Sequence, residues 1–129
     1  MFTVEQISIA HNKVRTGADF PLYIREIVQL GVIAFETRVI DSQTQYFGHD
    51  NFQTSSNSQY DDLKVTDDCN PPKFLEYLRI HQQGKTDYFT FCNHCAETGI
   101  ERWYVSLSEM TCTYYDKAGN KILEERIPQ

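Results

Sequence analysis

Apolar positions along the chain recur at two periods, and glycines mark where one gives way to the other. From residue 3 to about 16 the spacing is helical: Ile7, Ala10, His11 and Val14 share a face, and Thr3-x-x-Gln6 fits a capping box. A second helix is predicted over 20–30, with Asp19 as N-cap, Pro21 in the first turn and Tyr23, Ile24, Ile27 and Leu30 as its stripe. A third begins after Asn70, where Pro71 and Pro72 suit a first turn, and runs to about residue 83. The fourth follows Asp87 and reaches Thr98. Gly17, Gly31, Gly84 and Gly99 each follow such a segment, where a left-handed cap favours glycine.

After Gly31 and Gly99 the period changes to two. Residues 32–40 and 100–108 are rich in β-branched and aromatic side chains, as strands prefer. Second strands are predicted at 43–47 and 111–115, and third strands at about 60–65 and 121–126. The polar run from His49 to Gln59 reads as the one loop long enough to move or to carry function.

The two halves overlay at an offset of 68 residues. Asp19 falls on Asp87, Tyr23 on Phe91, Gly31 on Gly99, Phe35 on Trp103, Val39 on Leu107 and Tyr46 on Tyr114. One added residue before this block brings Gly17 onto Gly84 and Val14 onto His81. This spacing predicts an internal ααβββ repeat, with units of about 1–66 and 67–129 in one domain spanning 1–129. Neither half alone would bury much core. The expected architecture is α+β: an antiparallel-rich sheet with helices packed on one face. The repeat also supplies a test, because a packing residue should have an apolar counterpart and a functional one need not.

Charge narrows the function classes. Twelve Lys and Arg against eighteen Asp and Glu leave a net charge of −6, which argues against nucleic-acid binding. No apolar stretch approaches the ~18–20 residues of a membrane span, and acidic and polar residues interrupt the N-terminus. We therefore expect no membrane association, no export signal and a cytoplasmic location. Free thiols are then expected for the four cysteines.

Cys92-Asn93-His94-Cys95 invites a metal or redox reading, but no second ligand pair accompanies it. Cys92 falls on Ile24, Cys95 on Ile27 and Cys112 on Thr44, so core packing is the preferred reading. No metal and no cofactor are expected. Asp61-Asp62 and Asp67-Asp68 lack the spacing of a calcium loop. His81 stands where the first half has Val14, and with Asp87 nearby it could serve as a base. The plainer alternative has its ring bonding a helix end while Asp87 caps the next helix. His11, His49 and His94 have no partner identifiable from spacing. Tyr46, Tyr104 and Tyr114 are expected on the strand face opposite Phe35 and Trp103, as part of a partly exposed aromatic surface suited to an interface.

The stretch FLEYLRIHQQGKTDYFTFC, followed by AETGIERWYVSL, CTYYDKAGNKI and a terminal ERIP, resembles the YbcV-like family, as does the earlier LGVIAFETRVIDSQTQYFG. These are small enterobacterial and prophage-borne proteins of unknown function, sometimes labelled phage envelope protein. The resemblance implies a bacterial, prophage-associated protein and carries over no catalytic residue.

Two functions follow as expectations. The first is a non-enzymatic binding or interaction module, possible as a homodimer or with a protein partner. The second is a small ligand-binding protein or enzyme with a cleft between the halves. Its candidate residues are His81, Asp87, His94 and Tyr114.

Overall fold

The computed structural model describes residues 1–128. Four α-helices and six β-strands follow one another as helix, helix, strand, strand, strand, and then the same order again. They are α1 (Val4–His11), α2 (Phe20–Leu30), β1 (Val32–Arg38), β2 (Thr44–Gly48), β3 (Gln53–Ser55), α3 (Pro71–Gln82), α4 (Tyr88–Glu97), β4 (Ile100–Ser106), β5 (Thr111–Asp116) and β6 (Lys121–Arg126). The strands form one antiparallel sheet in the order β3-β2-β1-β4-β5-β6. The α+β class is as the sequence predicts.

Each β1–β2–β3 and β4–β5–β6 set is a meander, and the two meet at the β1–β4 pair. There Glu36 stands opposite Tyr104, with Phe35 against Val105 and Thr37 against Trp103. Two backbone bonds extend the seam reciprocally: Val39 N–H donates to Glu101 O at 2.8 Å, and Leu107 N–H to Ile33 O at 2.9 Å.

Alternation on the strands decides which face is buried. Phe35, Thr37, Thr44, Tyr46, Trp103, Val105 and Tyr114 are all buried beneath the helices. Tyr23 of α2 packs on Phe35 at 6.4 Å, Phe74 of α3 on Tyr114 at 4.9 Å, and Phe91 of α4 on Trp103 at 5.8 Å between ring centroids. Burying each such ring contributes roughly 1.5–3 kcal/mol. The other face carries Glu36, Arg38, Arg102, Tyr104 and Tyr115, with the Arg102 guanidinium 4.0 Å above the Tyr115 ring. Tyr46 and Tyr114 therefore share a face with Phe35 and Trp103, contrary to the expectation from sequence; of the three tyrosines only Tyr104 lies on the open face.

Several boundaries differ from the sequence reading, each for a local reason. The first helix keeps its capping box but ends at His11, where Lys13 and Val14 N–H groups close tighter turns. Gly17 then lies in a short 3-10 turn and not at a left-handed cap. It is glycine because a Cβ there would sit 2.3 Å from the His81 carbonyl oxygen. Asp19 precedes α2 without capping it; its carboxylate accepts from Arg15 and Thr16 N–H at 2.9 and 3.3 Å. The third strand of the first half is 53–55 and not 60–65. Asp50 and Asn51 adopt φ of 58° and 63°, which these residue types tolerate, so the chain reverses directly after β2. The long connection is consequently 56–70.

That connection is threaded against Gly99. Its φ is +84°, and a Cβ would lie 2.7 Å from Cys69 Cα and 2.8 Å from Asp68 O. Gly119 has nearly the same φ, +85°, with nothing within 4 Å. Left-handed strain alone costs about 1–2 kcal/mol, and overpacking adds about 1–3. Gly99→Ala should therefore lose about 3 kcal/mol or more in denaturant unfolding and Gly119→Ala only about 1–2. Equal losses would show that the 68–69 segment does not press on Gly99.

Candidate functional site

The buried face of the sheet is not filled everywhere. A cavity of about 410 Å³ lies between the helices and the sheet, over β1, β2 and β4. Its floor is Phe35 and Thr37 of β1, Thr44 and Tyr46 of β2 and Trp103 of β4. Both helical pairs supply walls: His11, Phe20 and Tyr23 from the first half, His81 and Tyr88 from the second. Exposed Ser8, Asn12, Gln59 and Phe89 mark its mouth.

The strand pairing dictates the polar part of the floor. Thr37 and Thr44 stand opposite each other on β1 and β2, and their hydroxyls share a hydrogen bond of 2.7 Å. Ser42, in the turn between these strands at φ 60°, shares one of 2.6 Å with the Tyr88 hydroxyl. Ser56 Oγ accepts from Thr44 N–H at 3.0 Å.

Aromatic edges frame the imidazole of His11. Tyr23 and Tyr88 meet it nearly perpendicularly, at 5.2 and 4.8 Å. Burial alone pushes its pKa below the ordinary value, and no hydrogen bond to the ring acts on it among the described residues. His81 is also pushed down by burial, against the opposing effects of a Thr86 hydrogen bond and the Asp87 charge. Its ring stacks on Phe91 at 4.3 Å, with Nδ1 2.9 Å from Thr86 Oγ1. Both imidazoles are thereby favoured in the neutral form.

Of the four candidates named from sequence, only His81 lines the cavity. Asp87 is exposed and caps α4, its Oδ1 accepting from Thr90 N–H at 2.8 Å. His94 lies on α4 with its ring stacked 3.7 Å from Tyr77 and its Nδ1 without a partner among the described residues. Tyr114 is buried between Phe74 and Trp103, outside the lining.

The thiols are poor nucleophiles where they stand. Cys92, Cys95 and Cys112 are buried, which pushes Cys92 up to about 11 and Cys112 up to about 12. No group of three or more His, Cys, Asp or Glu side chains capable of holding a metal comes together among the described residues.

Asp41, which the sequence reading passed over, holds one wall in place. It is 1% exposed, in the β1–β2 turn. Arg38 grips its carboxylate with two bonds of 2.8 and 2.7 Å, Ser58 Oγ donates at 2.7 Å and Gln43 N–H at 3.0 Å. Gln59 N–H donates to its carbonyl, so the segment carrying Ser56, Gln59 and Tyr60 is tied to this turn.

Comparison with known proteins places the chain in a family. The model of a family described as "Protein of unknown function (DUF1398)" matches residues 8–126. The chain belongs to that family. The match spans all ten helices and strands but for the start of α1, and so includes both halves of the cavity. No curated protein matches the chain.

The Arg38 guanidinium, then Ser58 and Gln43, hold the Asp41 carboxyl well below the usual carboxylate range. A depressed folded-state pKa stabilises the fold above the unfolded value of about 3.9 and is lost as pH falls through the folded one. Arg38 is half-exposed, which weakens its share. Asp41→Asn should cost about 2 kcal/mol at pH 7, and the gap to wild type should close on acidification below about pH 4. A gap that persists unchanged to pH 2 would contradict this role.

Proposed function

We propose that the protein binds a small organic molecule in the cavity and that binding, without covalent chemistry, is its activity. The observation that carries this reading is the difference between the halves at matched spacing. Thr37, Ser42 and Thr44 fall on Val105, Met110 and Cys112, and His11 on Leu78. Val105, Cys112 and Leu78 are buried apolar packing residues. The first half thus turns hydroxyls and an imidazole to the void at positions where the second half has buried apolar residues. A void forfeits packing contacts, and hydroxyls that bond one another across its floor add little to the fold over apolar groups of the same shape. Groups of this kind, convergent on a largely aromatic concavity, are what small-molecule sites are made of.

The internal ααβββ repeat belongs to this proposal. The recurring element order, the reciprocal Val39 and Leu107 bonds, and the left-handed φ at both Ser42 (60°) and Met110 (55°) support it. On this view the cleft formed where two equivalent units joined, and one unit specialised. The reading as an interaction module, with a homodimer or protein partner, rests on the internal symmetry, the aromatic excess with its exposed tyrosines, and the absence of catalytic spacing. With Tyr46 and Tyr114 buried, it retains less support. The resemblance to the YbcV-like proteins supports a prophage-borne, cytoplasmic setting for the binding activity.

Trp103 provides the test, because the single tryptophan lines the cavity. A fragment set titrated against the protein should contain members that change Trp103 emission saturably. Val14→Phe, which puts a ring into the lining, should abolish those responses while far-UV circular dichroism is unchanged. Absence of any saturable response, or equal responses in folded Val14→Phe, would defeat the reading.

A further inference from the structure

Resting on the cavity as a ligand site, we propose that its ligand is an uncharged, flat molecule of two or three rings bearing a hydroxyl or N–H edge. His11 reads that edge.

Charge comes first. Among the described residues, no Asp, Glu, Lys or Arg lines the cavity. The carboxylates next in sequence to lining residues are engaged elsewhere: Asp19 by Arg15 and Thr16 N–H, Asp41 by Arg38, Asp87 by the first turn of α4. The remaining titratable groups facing His11 are Tyr23 and Tyr88, both pushed upward by burial and so neutral, and His81 across the cavity is itself favoured neutral. An ionised ligand would be desolvated here with no counter-charge, which costs several kcal/mol.

Shape follows from the rings. His11, Tyr23 and Tyr88 meet at interplanar angles of 79° and 85°, and Trp103 meets Tyr88 at 88°. These rings pack edge to face on one another, so the wall they form turns both ring faces and ring edges to the cavity, a surface that suits a flat aromatic guest. The volume of 410 Å³ is at the small end of ligand pockets, which limits the guest to two or three fused rings.

Hydrogen-bonding capacity then selects the edge. A neutral imidazole offers one donor and one acceptor, and that of His11 has no hydrogen bond to it among the described residues. The Thr37 and Thr44 hydroxyls bond each other, Thr44 Oγ1 also donates to Ser42 O at 3.3 Å, and Ser42 bonds Tyr88, so these groups are satisfied and keep spare acceptor lone pairs. A guest hydroxyl or N–H can complement both kinds of group at once.

Four probes on one two-ring skeleton separate these features: 2-naphthol, 2-naphthoate, 2-naphthylmethylammonium and decahydro-2-naphthol, titrated calorimetrically at pH 7.5. We expect 2-naphthol to bind at least tenfold more tightly than each of the others. His11→Phe, which keeps the ring and removes its nitrogens, should weaken 2-naphthol about fivefold with an unchanged melting temperature. A charged or saturated probe that binds as tightly as 2-naphthol overturns the ligand class. The cavity reading survives that result if Val14→Phe abolishes the same binding. Unchanged affinity in His11→Phe removes His11 from recognition. Failure of all four probes overturns the proposal, and the Trp103 response to the wider fragment set then decides the cavity reading by itself.

Discussion

The antiparallel pairing of β1 with β4 is the constraint on which the molecule depends. Each three-stranded meander is too small to bury its own apolar face. Placing Glu36 opposite Tyr104 joins the meanders into six strands and lines up Phe35, Thr37, Trp103 and Val105 on one side of the seam. A slip of one residue would turn that row toward solvent and the Glu36 and Arg102 row toward the helices. The register is therefore fixed by the same burial that the helices complete. It also brings Trp103 beside Thr37, and so makes the floor of the cavity.

Above that floor the halves behave differently. In the second half Phe74, Phe91, Trp103 and Tyr114 form a continuous aromatic cluster with centroid separations of 4.9 to 6.5 Å. In the first, hydroxyls and the His11 ring stand around open volume. The Asp41 turn then ties down the segment that closes one side. A polar, incompletely filled region in an otherwise close-packed core is expected where function opposes stability.

Much of this was legible in the sequence, and the remainder was not for identifiable reasons. Apolar stripes mark all four helices, and Thr3 and Asp87 cap and Gly31 and Gly99 turn left-handed as expected, whereas Asp19 does not cap α2 and Gly17 is not left-handed. The third strand was misplaced because a reversal through Asp50 and Asn51 carries no glycine. Asp41 was invisible because its partners, Arg38, Gln43 and Ser58, include one that meets it only after the 56–70 connection folds back. The cavity arises from cross-strand pairs that periodicity does not reveal. A signal is nevertheless present in the sequence: the match of Cys112 to Thr44 at the 68-residue offset bears on the threonine as strongly as on the cysteine. The same comparison singled out His81 against Val14, and it applies equally to His11 against Leu78.

On the proposed reading, the hydroxyls on the floor serve a ligand and not the fold. Thermal and denaturant unfolding of the Thr37→Val/Thr44→Val double variant tests it most directly. Replacing both partners of a buried hydrogen bond by isosteric apolar groups is close to neutral or stabilising when the bond has no larger structural role. Stability should stay within about 1 kcal/mol of wild type, or rise above it. A loss of about 2 kcal/mol or more would show that the pair holds the fold together, and would contradict the account.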